Sequence, residues 1–336
     1  MTQPTAVNMT FDTSLVDTQA QTGSFSTTES DPSDAGWAMK TPTLQQGEDS
    51  QTTPKQSQEK GESLLPPGQT LMSPPPKPST PVQHIPTQDA YDEWASVYDM
   101  DGNMLQSIDD VELATLLPEL ISLVLQNSSN RVGLLDLGCG TGRNTSKLLN
   151  YAWPQDLQVD VMALDFSKGM LDVAATKLQP LVDQQQNLRL KLEQCNCFPT
   201  DSDLNASPLP LANLAQFDAL TSTLVLEHIS LPAYFTTLSA LVTKGGHALV
   251  TNMHSEMGKI SQAGFINKDG VKVRGTSYAH TPEETVEEAK KAGFAVLSLK
   301  ERAVEKEDVE TRRVGERGNK WIGIKVWYGL LLRKIA

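Results

Sequence analysis

The feature that most constrains this chain is a glycine-rich turn between an apolar run and a helix-forming segment. Residues 134–142 read Leu-Leu-Asp-Leu-Gly-Cys-Gly-Thr-Gly. Glycine lets a backbone approach a ligand closely, and the helix that follows directs unpaired N–H groups and a positive dipole end toward anionic atoms. A dinucleotide fingerprint, G-x-G-x-x-G, would need its third glycine at position 143, where the chain has arginine. The spacing therefore predicts a nucleotide-binding turn of another kind.

The order Asp-x-Gly-x-Gly-x-Gly at residues 136–142 closely resembles motif I of the class I, Rossmann-like S-adenosylmethionine-dependent methyltransferases, and specifically their small-molecule type. Residues 217–229 resemble motif IV of that family, and residues 244–251 resemble its fifth strand. The resemblance covers most of the chain beyond residue 88. It implies an α/β fold with a seven-stranded, mostly parallel sheet, an antiparallel last strand and helices on both faces. It also implies an enzyme, a methyltransferase whose cofactor is S-adenosylmethionine.

Apolar runs and helix signals alternate along the chain after its first 85 residues. They predict strands near 131–137, 159–165, 187–193, 216–223 and 246–252, and helices near 142–151, 167–178, 231–242 and 282–292. The last of these helices begins with Thr281 and Pro282 and carries acids early and lysines late, in agreement with the helix dipole. Two final strands, near 294–299 and 321–330, have no helix between them, which predicts antiparallel pairing.

An acidic residue, Asp165, ends the predicted strand at 159–165, about 20 residues or slightly more beyond the glycine turn. At this distance a carboxylate accepts hydrogen bonds from both hydroxyls of a ribose. Taken alone, Asp165 also fits the N-cap of the helix that follows. With the resemblance, the predicted cofactor-binding residues are Tyr98, Asp136, Gly138, Cys139, Gly140, Thr141, Gly142, Asp165, Phe166, Met170, Asn196 and Thr223. Asn196 departs from the family pattern, because many relatives have aspartate there.

Three aromatic residues, Tyr91, Trp94 and Tyr98, precede the glycine turn at helical spacing. One interpretation is a packed N-terminal helix. The segment also resembles the Tyr-x-x-Trp-Ala-x-x-Tyr-Asp opening of many small-molecule methyltransferases, in which it folds over the cofactor as a lid. That resemblance implies that Tyr98 contacts the methionine end of the cofactor.

Composition divides the chain into two parts. Residues 1–85 are rich in Thr, Gln, Ser and Pro and have few clustered aliphatic residues. Such a segment buries too little apolar surface to offset its chain entropy, so we predict a disordered tail followed by a methyltransferase domain at 86–336. The tail lacks the marks of a secretory signal or a transit peptide, which predicts a cytoplasmic protein with a nuclear location left open. A long polar tail is also a candidate site for a protein partner.

The formal net charge is −13. This charge disfavours a protein that grips nucleic acid and favours a small-molecule acceptor. No apolar run reaches the length of a membrane span. Three cysteines, one of them inside the glycine turn, fit a reducing compartment. The pair Cys195 and Cys197 supplies only two ligands, so no metal site is predicted.

Methyl transfer is an in-line displacement, so the protein mainly orients the reactants and excludes water. A hydroxyl acceptor benefits from a base, and histidine is the usual choice near neutral pH. We predict His254 and His280 as the catalytic candidates, although a surface or capping role is an alternative for each. His228, in the sequence Leu-Glu-His-Ile, is assigned a structural or cofactor-shell role. The side chains predicted to surround the acceptor, or else to pack an inserted lobe, are Met253, Met257, Phe265 and Tyr278.

Together these features predict an enzyme that methylates an oxygen or nitrogen of a small organic molecule, with specialised-metabolite biosynthesis as its setting. One alternative is a regulatory protein that binds S-adenosylmethionine and acts through a partner. Another is a methyltransferase that acts on protein or RNA. No Asn/Asp-Pro-Pro-Tyr/Phe motif follows the fourth strand to favour an amide or base nitrogen.

Overall fold

The computed structural model describes residues 26–27, 82–127, 130–183, 185–198, 214–261, 264–267 and 271–336. In chain order the strands within those residues are β1 (Ser26–Thr27), β2 (Val82–His84), β3 (Arg131–Leu137), β4 (Gln158–Asp165), β5 (Leu188–Gln194), β6 (Phe217–Thr223), β7 (Val242–Met253), β8 (Gly264–Ile266), β9 (Lys272–Arg274), β10 (Phe294–Ala303) and β11 (Lys325–Lys334). The helices there are α1 (Thr87–Trp94), α2 (Met104–Leu125), α3 (Arg143–Leu149), α4 (Lys168–Val182), α5 (Leu231–Leu241), α6 (Ser255–Ile260), α7 (Pro282–Lys291) and α8 (Lys306–Glu310).

The main sheet has seven strands in the order β10-β11-β7-β6-β3-β4-β5. All neighbours from β7 to β5 are parallel, whereas β11 is antiparallel to both β7 and β10. The chain runs outward through β3, β4 and β5 and then returns to β6 on the other side of β3. This arrangement confirms the predicted fold class and the antiparallel end of the sheet. Ligands of such sheets bind beyond the carboxyl ends of the strands where the order reverses, here between β3 and β6.

Two apolar cores lie on opposite faces of this sheet, because successive side chains of a strand point to opposite faces. On β11, Trp327 and Leu331 join the core that α2, α3 and α4 cover. Tyr328 and Leu330 join the core that α5 and α7 cover. The predicted arrangement of helices on both faces is therefore confirmed.

The helix ends follow the capping signals of the sequence. Thr281 and Glu284 form a capping box at the start of α7, as the sequence predicts. Asn103 caps α2 by accepting a hydrogen bond from the backbone N–H of Leu105. The length of α2 is not apparent from its apolar pattern, because two acidic residues, Asp109 and Glu112, lie on its buried side.

A second, smaller sheet has the order β1-β8-β9-β2 and supports α1. The rings of Trp94 on α1 and Phe265 on β8 stack with their centroids 5.4 Å apart. Strand β2 pairs in parallel with β9, so the folded region begins inside the predicted tail of residues 1–85. The rest of that tail, apart from β1 and Ile85, lies outside the described residues. Within the described part of the chain, no helix combines the length and apolar character that crossing a bilayer requires.

Candidate active site

A cavity of about 380 Å³ lies beyond the carboxyl ends of the central strands. On its outer side it is covered by α1 and the turn after it, which we call the lid segment (residues 87–98). The lining residues are Pro86, Thr87, Gln88, Tyr91, Tyr98, Leu137, Gly138, Gly140, Leu164, Asp165, Phe166, Cys195, Asn196, Cys197, Phe198, Thr223, Leu224, Val225, His228, Ile229 and Thr276. The cavity therefore lies at the position expected for a ligand site in a sheet of this topology.

The three glycines of the turn after β3 all have positive φ, but they serve different purposes. A Cβ at Gly138 would lie 2.4 Å from a methyl group of Val225, and one at Gly142 would lie 2.8 Å from a methyl group of Leu178. A Cβ at Gly140 would meet nothing within 4 Å. Packing thus requires glycine at the two outer positions. Gly140 instead leaves open space along the cavity wall, so that a bound ligand can approach the backbone closely. We call this space the cradle.

Asp165 ends β4 at the edge of the cavity and is held in place by backbone donors. Its carboxylate accepts hydrogen bonds from the N–H groups of Gly140 and Ser167, each at 2.8 Å. Burial raises the pKa of Asp165 to about 6, and the backbone hydrogen bonds oppose that rise. The N-cap of α4 is Ser167, whose hydroxyl accepts from the N–H of Met170. Asp165 is therefore not the N-cap that the capping interpretation proposed.

Seven of the predicted cofactor-binding residues line the cavity, namely Tyr98, Gly138, Gly140, Asp165, Phe166, Asn196 and Thr223. They come from the lid segment, the glycine turn and the ends of β4, β5 and β6. Asn196 caps its own turn by accepting a hydrogen bond from the N–H of Phe198. Burial raises the pKa of Tyr98 to about 12, which keeps its phenol neutral.

The other predicted cofactor residues lie behind the cavity wall. Asp136 accepts hydrogen bonds from Thr145 at 2.5 Å and from Thr221 at 3.1 Å, and so joins β3, α3 and β6. Thr141 donates to Asp99 of the turn after α1. Cys139 and Met170 are buried, and Gly142 packs on Leu178 as described above. In the structure these residues support the glycine turn rather than form the surface of the cavity.

The two predicted catalytic histidines are not at the cavity. His254 caps α6, since its Nδ1 accepts from the N–H of Glu256 at 3.1 Å, and its Nε2 lies 2.9 Å from Glu301. His280 donates through Nε2 to the carbonyl of Ile229 at 2.8 Å and stacks on Tyr278. Burial lowers the pKa of His280. Both side chains have hydrogen-bond partners in the fold, and neither belongs to the described lining of the cavity. Their catalytic role stays a prediction.

The predicted acceptor wall is also absent from the lining of the cavity. Met253 and Met257 are buried in the core under α2. Phe265 stacks on Trp94 of the lid segment, and Tyr278 is exposed and stacked on His280. None of the four belongs to the described lining of the cavity, and the prediction that they surround the acceptor stays untested.

The histidine that does line the cavity is His228, in the 3₁₀ turn Leu226–His228 after β6. Its Nε2 lies 2.8 Å from the hydroxyl of Tyr91 in the lid segment, and its Nδ1 lies 2.7 Å from the carbonyl of Thr276. Glu227 is buried beside it, with Oε1 3.5 Å from Nε2. The sequence signal was available, because Leu-Glu-His-Ile follows a strand that leads into the site. The sequence assigns it a structural or cofactor-shell role rather than a catalytic one.

Leu224 is a second cavity residue that the sequence did not single out. Its φ of +56° lies in the left-handed region, which is rare for a bulky residue. Its N–H donates to the carbonyl of Thr251 on β7 at 2.9 Å, which helps to hold this conformation. Backbone strain of this kind clusters at ligand sites. The left-handed conformation of Leu224 turns the chain sharply at the end of β6, toward Val225 and His228.

Comparison with known proteins shows similarity to methyltransferases. Residues 135–248 match the family model of a methyltransferase domain. An uncharacterised methyltransferase of Emericella nidulans is 40% identical over 268 residues, which cover 74% of this chain and 91% of that protein. Among solved structures, an S-adenosylmethionine-dependent methyltransferase from Clostridium acetobutylicum is similar with a TM-score of 0.46 and 17% identity, over 73% of this chain and 99% of that one. The magnesium protoporphyrin IX methyltransferase of Synechocystis with bound S-adenosylmethionine has a TM-score of 0.45 and 14% identity, over 73% and 90%.

Proposed function

The chain belongs to the class I S-adenosylmethionine-dependent methyltransferases, and from that membership we propose that it methylates an oxygen or nitrogen atom of a small organic molecule. The observation that carries the proposal is the single cavity that Gly140, Asp165, Thr223 and the lid segment line together. The cavity has room for a ligand at the glycine turn. After the carboxyl end of β6 it is lined by both polar and apolar side chains, such as His228 and Val225. For the setting of the reaction we propose specialised metabolism.

The residues present fit the cofactor. Gly140 offers a cradle that a side chain would fill, and Asp165 offers a carboxylate for the ribose hydroxyls. The adenine is assigned to an apolar part of the lining, formed by Phe166 and Phe198 and including the side-chain amide of Asn196. Tyr98 is assigned to the methionine end of the cofactor. When bound, S-adenosylmethionine supplies an electrophilic methyl group. The protein orients the acceptor and excludes water, tasks for which the lid segment is suited.

A small acceptor is supported by the enclosure of the cavity and by its lining. Among the lining residues that the structure describes there is no lysine or arginine, and the whole chain carries a net charge of −13. A polyanionic substrate such as RNA would find no counter-charge here. The cysteines Cys139, Cys195 and Cys197 are free thiols, which supports our proposal of a reducing, cytoplasmic location.

The test is transfer of labelled methyl from S-adenosylmethionine into a metabolite extract and a protein extract of the source cell. The enzyme is compared with Gly140→Arg, which fills the cradle. Gly323→Arg is a matched control, because Gly323 also has positive φ and open space but lies away from the cavity. Label in a small-molecule peak that only Gly140→Arg abolishes supports the proposal. Binding of the cofactor without transfer of label, or label in protein alone, contradicts it.

A further inference from the structure

The hydrogen bonds of His228 define its tautomer. A carbonyl oxygen only accepts, so the contact with Thr276 requires a proton on Nδ1. Nε2 is then the unprotonated nitrogen and accepts the hydroxyl hydrogen of Tyr91. His228 therefore presents a basic lone pair on the cavity side, with the phenol of Tyr91 directly in front of it.

Titratable groups surround this pair on every side. Tyr98 faces the pair from the lid segment, Asp165 from the end of β4 and Glu227 from the turn that carries His228. His280 bonds to the carbonyl of the next residue, Ile229. Burial first, and then Tyr98, Glu227 and Asp165, raise the pKa of Tyr91 well above its usual range. Tyr91 thus stays protonated, and the unprotonated Nε2 of His228 is the atom placed to accept its hydroxyl hydrogen.

The side chain of Glu227 is buried beside His228, with one carboxylate oxygen unpaired among the described residues. It is 4% exposed, and its Oε2 has no hydrogen-bond partner among the residues that the structure describes. Burial raises its pKa. A buried carboxylate without a partner is costly unless a positive charge forms next to it. With Oε1 3.5 Å from Nε2, a protonated His228 supplies that charge.

We propose that His228 is the base of the acceptor site, that Tyr91 relays the proton to it, and that the acceptor is an uncharged alcohol or phenol, or a protonated amine. The proposal deepens the proposed function and rests on it. The acceptor gives its proton to the oxygen of Tyr91 while the hydroxyl hydrogen of Tyr91 passes to Nε2. The electron pair left on the acceptor forms the bond to the methyl carbon, and the pair of the broken carbon–sulfur bond stays on sulfur. Glu227 stabilises the imidazolium.

The charge of the acceptor follows from the same surroundings. Asp165 and Glu227 are acidic, and the described lining contributes neither lysine nor arginine. The described lining side chains therefore offer no cation to pair with a carboxylate or phosphate group of the acceptor, and an anion buried without a pairing side chain is costly. A neutral or cationic acceptor avoids that cost. The acceptor must also carry a removable proton, because a base would otherwise serve no purpose.

The test compares the enzyme with His228→Gln, Tyr91→Phe and the control His247→Gln, in which a buried histidine of β7 is lost far from the cavity. Labelled methyl transfer to the small-molecule fraction is measured from about pH 5 to pH 9, across the ordinary range of histidine. We expect His228→Gln to lose about 10²–10⁴-fold in rate and to lose the acidic limb of the profile. Tyr91→Phe should be slower but keep that limb. All variants should bind S-adenosylmethionine within a few-fold of the unmodified enzyme.

The outcomes separate the two proposals. Absence of transfer by the unmodified enzyme overturns the proposed function and this inference with it. Transfer that persists in His228→Gln with its acidic limb overturns the inference alone, as does a labelled product that is a methyl ester of a carboxylate or phosphate. If His228→Gln does not fold, nitrogen NMR of the histidine-labelled unmodified enzyme decides. A neutral His228 protonated on Nδ1 supports the inference, and one protonated on Nε2 overturns it.

Discussion

At the scale of single residues, Asp165 ties the cofactor affinity to pH. Its pKa is raised to about 6 because it is buried, so it is half protonated near that pH. A protonated carboxyl has lost part of its capacity to accept hydrogen bonds from hydroxyl groups. We expect the affinity for S-adenosylmethionine to rise as the pH increases through about 6, measured by calorimetry. Because the pKa in the folded protein exceeds the ordinary aspartate value of about 4, Asp165 contributes stability at low pH that is lost as the pH rises from about 4 to about 6.

Substitution at Asp165 tests this assignment. Asp165→Asn should weaken binding by about 1.5–3 kcal/mol for a lost charged hydrogen bond, which is about a ten- to hundredfold rise in Kd. It should also remove the dependence on pH near 6. Asp160→Asn is the matched control, since Asp160 lies on the same strand and pairs with Arg131 at the surface. Equal affinities for the two variants would exclude Asp165 from the binding site.

At the scale of secondary-structure elements, one buried carboxylate joins four of them. Asp109 of α2 accepts hydrogen bonds from Thr251 on β7 and Trp327 on β11, at 2.6 and 2.8 Å. It also pairs with Arg143 at the start of α3. Asp109→Ala leaves Arg143 and the two donors with unmet hydrogen bonds, so we expect a loss of about 3–5 kcal/mol in the free energy of unfolding.

The neighbouring residue offers the control for that experiment. Asp110 pairs with Arg143 and Lys147 but is 45% exposed, and exposed pairs contribute about 0–1 kcal/mol. Urea unfolding of both variants should therefore separate them by at least about 2 kcal/mol, given these two ranges. Similar stabilities would show that Asp109 is not the link between these elements.

The lid segment is a second element whose attachment makes a prediction. Asp92 accepts hydrogen bonds from the hydroxyl of Ser167 at 2.6 Å and from the N–H of Gly169 at 2.9 Å. These bonds tie α1 to the start of α4, next to Asp165. Because Asp92 is exposed, we expect Asp92→Ala to cost only about 1 kcal/mol. Amide hydrogen exchange at residues 87–98 should become faster, and S-adenosylmethionine should dissociate faster.

The adjacent Glu93 is exposed as well. Glu93→Ala is therefore the control for the lid experiment, since it removes an acid of the same helix without touching α4. Exchange rates that change equally in both variants would mean that the charge of α1, rather than its attachment to α4, governs the lid.

At the scale of the whole molecule, the sheet and the place of the cavity at its carboxyl edge could be predicted, because their signals are local. The apolar run before the glycine turn predicts β3 and the turn. The acid at the end of β4 predicts the edge of the sheet at which a ligand binds. Both signals lie within short stretches of sequence. The acceptor side could not be predicted in this way. His228, Tyr91 and Thr276 are far apart in the chain and meet only because the small sheet holds the lid segment against the exit of β6. The sequence predicts His254 and His280 instead, because it does not reveal that Glu256, Glu301 and Ile229 are their hydrogen-bond partners. Neither histidine belongs to the described lining of the cavity.

The boundary of the folded domain makes the last prediction. Strand β2 pairs with β9 through residues 82–84, and the N–H of Ile85 donates to the carbonyl of Arg274 at 3.1 Å. Deletion of residues 1–81 keeps these bonds and removes the two-residue strand β1 from the sheet on which the lid segment rests. Deletion of residues 1–85 removes β1 and also the bonds of β2 and Ile85. We expect the shorter deletion to retain cofactor affinity and melting temperature. The longer one should lose about 1–3 kcal/mol of stability, at about 1 kcal/mol for each hydrogen bond, and should bind S-adenosylmethionine more weakly. If both deletions behave alike in calorimetry and thermal unfolding, β2 does not support the lid.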